Sequence, residues 1–155
     1  MGERTASVTR DIKAPPQAVW DAITDVTRMG EFSPECHTCA WKDGATGPAV
    51  GARFEGHNRN GDKEWTTEAE VTECEPPRVF AFDGVFGDLR FSHWRYEIEP
   101  IDGGSASRVT ESWEDGRPDE ILEMTANISG VSDRVTHNTA GMEATLERLA
   151  AAVES

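Results

Sequence analysis

The last quarter of the chain, residues 118–155, constrains the fold more than any other stretch. Ile121, Ile128, Val131, Val135, Met142, Leu146, Leu149 and Val153 recur at steps of three, four or seven residues, the period of one apolar helical face. The spacing predicts a long amphipathic helix. Gly130, followed by Ser132-Asp133 as a fresh cap, predicts a break into a short helix over 118–129 and a longer one over 132–154. At helical rise the second piece runs roughly 33 Å, about the width of a small domain. A rod of that length with one apolar side needs a broad apolar surface to lie on.

The preceding residues supply such a surface as strands. Residues 5–13 alternate, with Ala6, Val8 and Ile12 on one face and Thr5, Thr9 and Asp11 on the other. Ala14-Pro15-Pro16 then breaks the strand and presets a helix over 16–25, striped by Val19, Ala22, Ile23 and Val26; a second short turn covers 28–32. From Cys36 the text reads as strands punctuated by Gly, Pro and Asn-Gly: 36–42, 52–58, 64–74, 78–83, 89–101 and 107–113. The most regular of them puts Trp65, Thr67, Ala69 and Val71 on one face and Glu64, Thr66, Glu68 and Glu70 on the other. Residues 84–87 read as a turn. One strand, two short helices, six antiparallel strands and a long helix make an α+β layer pair, expected as a single domain over 1–155.

Composition narrows the function classes. The chain has 155 residues, enough to bury roughly 70% of the surface its unfolded form exposes. With 29 acidic against 15 basic residues the net charge is −14, which repels phosphate backbones and anionic membrane surfaces. No nucleic-acid partner and no membrane insertion are expected. Three cysteines, no signal-peptide pattern and no apolar run near 18 residues point to a reduced, cytoplasmic setting. Cys36 and Cys39 form a lone CxxC with no second pair to complete a tetrahedral site, so neither a metal nor a cofactor is expected. No Ser-His-Asp spacing, nucleophile elbow, phosphate loop or nucleotide fingerprint occurs. His57, His93 and His137 fall off the apolar faces and read as surface histidines.

Several words of the sequence carry a resemblance. They are Ile12-x-Ala14-Pro15-x-x-x-Val19-Trp20, Phe32-Ser33-Pro34-Glu35, Gly51-Ala52-Arg53-Phe54-x-Gly56-x-Asn58-x-x-Gly61, Trp94-Arg95-Tyr96-Glu97, Val109-Thr110-Glu111-Ser112-Trp113 and Asn138-x-x-Gly141-Met142-x-x-x-Leu146. In these words and in element order the chain resembles the START-like, birch-pollen-allergen-like helix-grip (SRPBCC) superfamily, and within it the polyketide cyclase/dehydrase family. The resemblance spans nearly the whole chain. It implies a seven-stranded curved antiparallel sheet gripping the long helix, with a ligand cavity between them, and it transfers no catalytic residue.

If the helix rests on the concave face, every second strand residue looks into the gap. The candidate lining is then Phe54, Asn58, Trp65, Thr67, Phe82, Trp94, Tyr96, Val109, Glu111 and Trp113, roofed by Met124, Ile128, Val135 and Met142. That set suits a small apolar or aromatic ligand oriented by a few hydrogen bonds. The alternative is that the tryptophans fill the gap. Glu111 is the sharpest residue, a carboxylate between Val109 and Trp113 on a face that ought to be apolar. Either it faces the gap as a proton shuttle or ligand anchor with Tyr96, or it pairs with Arg53, Arg95 or Arg108, or a bulge turns it to solvent. Asn58 is either a companion of that pair or a turn residue. Three functions follow: a carrier of a small hydrophobic, lipid- or polyketide-like ligand; a cofactor-free polyketide cyclase/dehydratase using Glu111 and Tyr96; and a protein-interaction module. Monomer and homodimer both remain open.

Overall fold

In the computed structural model, which describes residues 4–154, β1 (Thr5–Ile12) ends where the proline pair begins α1 (Pro16–Thr24). Pro15 is extended at the N-cap, and Pro16 occupies the first turn, where its missing N–H is no loss. The Asp25 side chain caps a 3₁₀ turn at Val26–Arg28, accepting from the Thr27 N–H at 3.1 Å, and α2 (Met29–Phe32) follows. Six strands come next: β2 (Cys36–Trp41), β3 (Arg53–Asn60), β4 (Lys63–Glu75), β5 (Val79–Phe86), β6 (Leu89–Ile101) and β7 (Ala106–Asp115). All neighbours are antiparallel, in the order β1-β7-β6-β5-β4-β3-β2. The chain therefore crosses the full width of the sheet once, through α1 and α2, and meanders back until β7 pairs with β1.

The closing helices follow the expected break. A 3₁₀ turn at Asp119–Ile121 leads into α3 (Leu122–Ser129), which stops at Gly130 with φ 75°, a left-handed C-cap that favours glycine. Asp133 then caps α4 (Arg134–Val153), accepting from the Thr136 N–H at 3.1 Å. The seven-stranded curved sheet with its long C-terminal helix is thus the helix-grip arrangement. No helix among the described residues is long and apolar enough to cross a membrane.

One strand boundary differs from expectation by more than two residues. β5 does not stop at residue 83 but runs to Phe86, carrying Gly84 inside the strand. A Cβ there would lie 2.5 Å from Ser92 Oγ and 2.6 Å from the Phe91 ring, so the glycine marks close strand packing beside a bulge and not a turn.

The solid core lies at one end of the layer pair. Ile12, Val19, Ile23, Val26, Phe80, Ile98, Val109, Leu146, Leu149 and Ala150 are buried in one cluster. Trp20 meets Phe80 edge-on at 6.0 Å. On the convex face, charges pair across strands: Arg53 reaches Glu68 and Glu70 at 2.6 and 2.9 Å, and Arg90 reaches Glu70 and Asp83 at 3.2 and 3.1 Å. Lys42 also contacts Glu68. Each exposed pair contributes little by itself, but together they bring basic groups to a strongly acidic sheet face.

The first helices are seated by backbone contact. A Cβ on Gly30 would lie 1.9 Å from the His37 carbonyl oxygen, so α2 rests directly on β2; one on Gly141 of α4 would meet Pro34 at an ordinary 3.8 Å. Gly30→Ala should therefore destabilise the protein by about 2–3 kcal/mol in urea unfolding, the cost of forced overpacking. Gly141→Ala, which replaces a helical glycine, should be neutral or stabilising by up to about 1 kcal/mol. Equal effects at the two positions would contradict this packing.

Candidate functional site

The concave face is built by register. Across the sheet, Phe82 lies opposite Trp94 and Trp94 opposite Trp113, while the next row places Phe80, Tyr96 and Glu111 side by side. On the other flank Trp41, Phe54 and Ala69 form a row, as do Cys39, Gly56 and Thr67. Alternate residues of six strands thus converge on one space, which α4 and α3 cover. The space is a cavity of about 780 Å³. Trp94 and Trp113 lie 6.3 Å apart along its wall and do not plug it.

Most of the expected lining is there: Phe54, Asn58, Trp65, Thr67, Phe82, Trp94, Tyr96, Glu111, Trp113 and Met142 all face the cavity. Asn58 is no turn residue; it is buried, and its Nδ2 donates to Thr67 Oγ1 at 3.1 Å. Two expected residues do not line the space. Val109 is fully buried in the solid core with Ile12 and Ile98, one step beyond the cavity floor. Val135 is half-buried outside it. Met124 and Ile128 do line it, but as rim residues 54% and 47% exposed, not as a roof.

The reason for the Val135 miss is angular. At 100° per residue, Arg134, Asn138, Gly141 and Thr145 share a line on α4 roughly 80° round from the Val135-Met142-Leu146-Leu149-Val153 stripe. The apolar stripe packs on β1 and α1, with Met142 and Leu149 on its cavity-side edge, and the polar and small line faces the cavity. Sequence periodicity found the helix and its buried side, but the roof of the cavity is the neighbouring line.

That line builds a polar mouth. Arg134 Nη1 donates to both oxygens of Glu35, at 3.0 and 2.9 Å, and to Asn138 Oδ1 at 3.1 Å, while its guanidinium lies 5.8 Å from the centre of the Trp65 ring. His137, expected at the surface, is half-buried with Nε2 3.0 Å from Glu35 Oε2. His57 and His93 lie on the outer face as expected, His93 with Nδ1 2.6 Å from Asp83 Oδ1. At the other side of the mouth Arg117 donates to the fully buried Asp115 carboxylate at 2.6 Å and to Thr125 Oγ1 at 2.7 Å, joining β7 to α3. Ser33 Oγ accepts from the Cys36 N–H at 3.0 Å and so starts β2. A bulge between Cys36 and Thr38 brings Cys36 and Cys39 onto the same, inward face; a lone CxxC three residues apart gave no sign of this.

Buried among the lining residues is Glu111. It is 4% exposed, and none of the three candidate arginines reaches it: Arg53 is held by Glu68 and Glu70, Arg95 by Glu73 and Glu97, and Arg108 by Asp11. Its neighbour is Tyr96, directly opposite on β6 and facing the same cavity. Oε1 is the one buried side-chain polar atom among the described residues with no hydrogen-bond partner. Burial pushes the Glu111 carboxyl up to about 8, Tyr96 opposing this more weakly, and burial with the Glu111 charge drives Tyr96 well above the usual phenol range. At neutral pH the site therefore holds a neutral acid beside a neutral phenol. No group of three or more metal-ligating side chains occurs among the described residues.

Comparison with known proteins agrees with this architecture. A Polyketide_cyc-like protein of Corynebacterium glutamicum, solved by NMR, is 30% identical, with a TM-score of 0.60 over 99% of this chain and 90% of that one. A crystal structure of a Chromobacterium violaceum protein is 19% identical with a TM-score of 0.71, covering 97% of this chain and 98% of that one. The Zhui aromatase/cyclase from Streptomyces sp. R1128 is 14% identical with a TM-score of 0.67, covering 99% and 94%. No curated protein matches the chain. Residues 3–154 match the family described as polyketide cyclase / dehydrase and lipid transport, and the chain belongs to that family.

Proposed function

We propose that the protein binds a small hydrophobic or aromatic molecule, lipid- or polyketide-like, between the sheet and α4 and holds it as a carrier or sequestering protein. The observation that carries this is the cavity: about 780 Å³ of space walled by Phe54, Trp65, Phe82, Trp94 and Trp113 lies within the roughly 300–1,000 Å³ of small-molecule sites. Thr67 and Met142 complete the proposed contact surface, and Asn58, Tyr96 and Glu111 supply its polar groups. The large exposed hydrophobics support an entrance and not a protein-docking face. Phe86, Met124 and Ile128, three of the four among the described residues, all rim this cavity.

A second function is favoured by Glu111 itself. A buried carboxylic acid that keeps its proton at neutral pH, with an unpartnered oxygen and a phenol beside it, is equipped to hand a proton to a carbonyl or a leaving hydroxyl. This is the cyclase/dehydratase chemistry for which the family is named. In both roles Oε1 contacts the ligand's polar atom.

The orphan oxygen makes a binding prediction. 2-Naphthol should bind about tenfold tighter than naphthalene in a tryptophan-fluorescence titration, the worth of one buried hydrogen bond. Glu111→Leu should abolish that preference while leaving naphthalene affinity within about twofold. A preference that survives the substitution would remove Glu111 as the anchor, and failure of both compounds to bind would remove the cavity function.

Stability should also depend on pH through this group. Its folded-state value of about 8 lies above the ordinary 4.5. Between those values the unfolded chain releases a proton that the folded protein keeps, so stability falls as pH rises, and the loss is complete above the folded value. Urea unfolding of the wild type against Glu111→Gln from pH 5 to 9 should show the wild type losing ground by up to about 1.4 kcal/mol per pH unit and then levelling off. A difference that does not change with pH would mean that Glu111 titrates normally.

A further inference from the structure

The cavity holds two nucleophiles that the function above does not use. Cys36 and Cys39 are both buried, and both line the cavity because the bulge at the start of β2 turns them inward together. Their sulfurs overhang one glycine: a Cβ built on Gly56 would lie 3.2 Å from Cys36 Sγ, 3.9 Å from Cys39 Sγ and 3.6 Å from Thr67 Oγ1. A side chain at position 56 would crowd Cys36, and its absence leaves both thiols open to whatever occupies the space. The Cys36 thiol donates to the Thr38 carbonyl oxygen at 3.6 Å, and its neighbour Cys39 makes Cys36 the more acidic of the two while Cys39 itself is raised. Cys74, the third thiol, lies outside the cavity lining.

We propose that Cys36 captures α,β-unsaturated carbonyl ligands in the cavity as reversible thioethers, with Cys39 beside it; this rests on the cavity admitting a small aromatic molecule. The chemistry is an addition. The Cys36 Sγ–carbon bond forms at the ligand's β-carbon as the C=C π bond breaks, the displaced electron pair moves through to the carbonyl oxygen, and the thiol proton ends on the α-carbon. Nothing is oxidised or reduced, and the reverse elimination regenerates thiol and ligand. The class of electrophile follows from the surroundings. Aromatic walls select a conjugated ring system, a soft thiol prefers a soft conjugate carbon, and the carboxyl of Glu111 offers a hydrogen bond to a carbonyl oxygen on which negative charge develops. Cys36, Tyr96 and Glu111 line the same cavity, so nucleophile and acid face one ligand.

The test pairs benzylideneacetone, an aromatic enone, with benzylacetone, its saturated counterpart. Intact-mass and peptide-mapping experiments on the wild type should show one added enone, located on Cys36, forming at least about tenfold faster than modification of Cys74 and at a rate that saturates with enone concentration. Cys36→Ser should lose the adduct yet still bind benzylacetone by fluorescence, which shows that it is folded; Cys39→Ser should form it several-fold more slowly; Cys74→Ser should behave as wild type. Binding of benzylacetone with no adduct, or with an adduct first on Cys74, overturns this inference alone. Failure to bind benzylacetone overturns the cavity function with it.

Discussion

Everything in this structure depends on α4 being grounded at one end and held off at the other. Its C-terminal half, with Leu146, Leu149 and Ala150 almost wholly buried, sinks into the cluster of Ile12, Val19, Ile23 and Val109. Its N-terminal half meets no such surface. There the helix rests on polar side chains, Arg134 and His137 on Glu35, and on Pro34 beneath Gly141. Full contact along the whole rod would bury more apolar area, and each side chain so covered contributes about 1.5–3 kcal/mol. Half the helix forgoes that gain, and what remains is a space with an aromatic wall.

The polar groups in that space are held at a cost the fold has to offset elsewhere. A carboxyl with an oxygen lacking any partner is the feature expected to destabilise a core, since an unsatisfied buried group costs about 1–3 kcal/mol. Protonation lessens the penalty by removing the charge. A leucine in that row would sit between Val8 and Tyr96 with no such cost. Arg134 and Arg117, by contrast, meet their carboxylates at the mouth in full, so the unsatisfied group is confined to the buried lining of the cavity. Polar groups left short in this way concentrate at sites that await a partner.

The fold was legible in the sequence because its signals are periodic. The stripe from Val131 to Val153, the alternation from Trp65 to Val71, and the breaks at Pro15-Pro16, Asn60-Gly61 and Gly130 each specify local geometry, and each element formed where they indicate. The inward face of the sheet was legible for the same reason, which is why Trp94, Tyr96, Glu111 and Trp113 fell into place. What escaped depended on relations between elements. No periodicity tells that α4 turns its polar line to the cavity, so Val135 was expected inside and Arg134, Asn138 and His137 were not. The bulge that aligns Cys36 with Cys39 is a register event between β2 and β3, invisible in β2 alone. Gly84 read as a turn because a close strand approach and a turn both call for glycine.

The central claim is that the space beneath the N-terminal half of α4 is open to a guest down to the Tyr96–Glu111 row. Isotope-edited NMR on protein carrying labelled methionine and alanine methyl groups, saturated with 2-naphthol, tests it directly. Nuclear Overhauser contacts from the ligand ring to the methyl groups of Met142 and Ala69, both buried in the cavity lining on helix and sheet, are the result this account predicts. Contacts confined to Met124 at the rim, with none to Met142 or Ala69 at saturation, would contradict it.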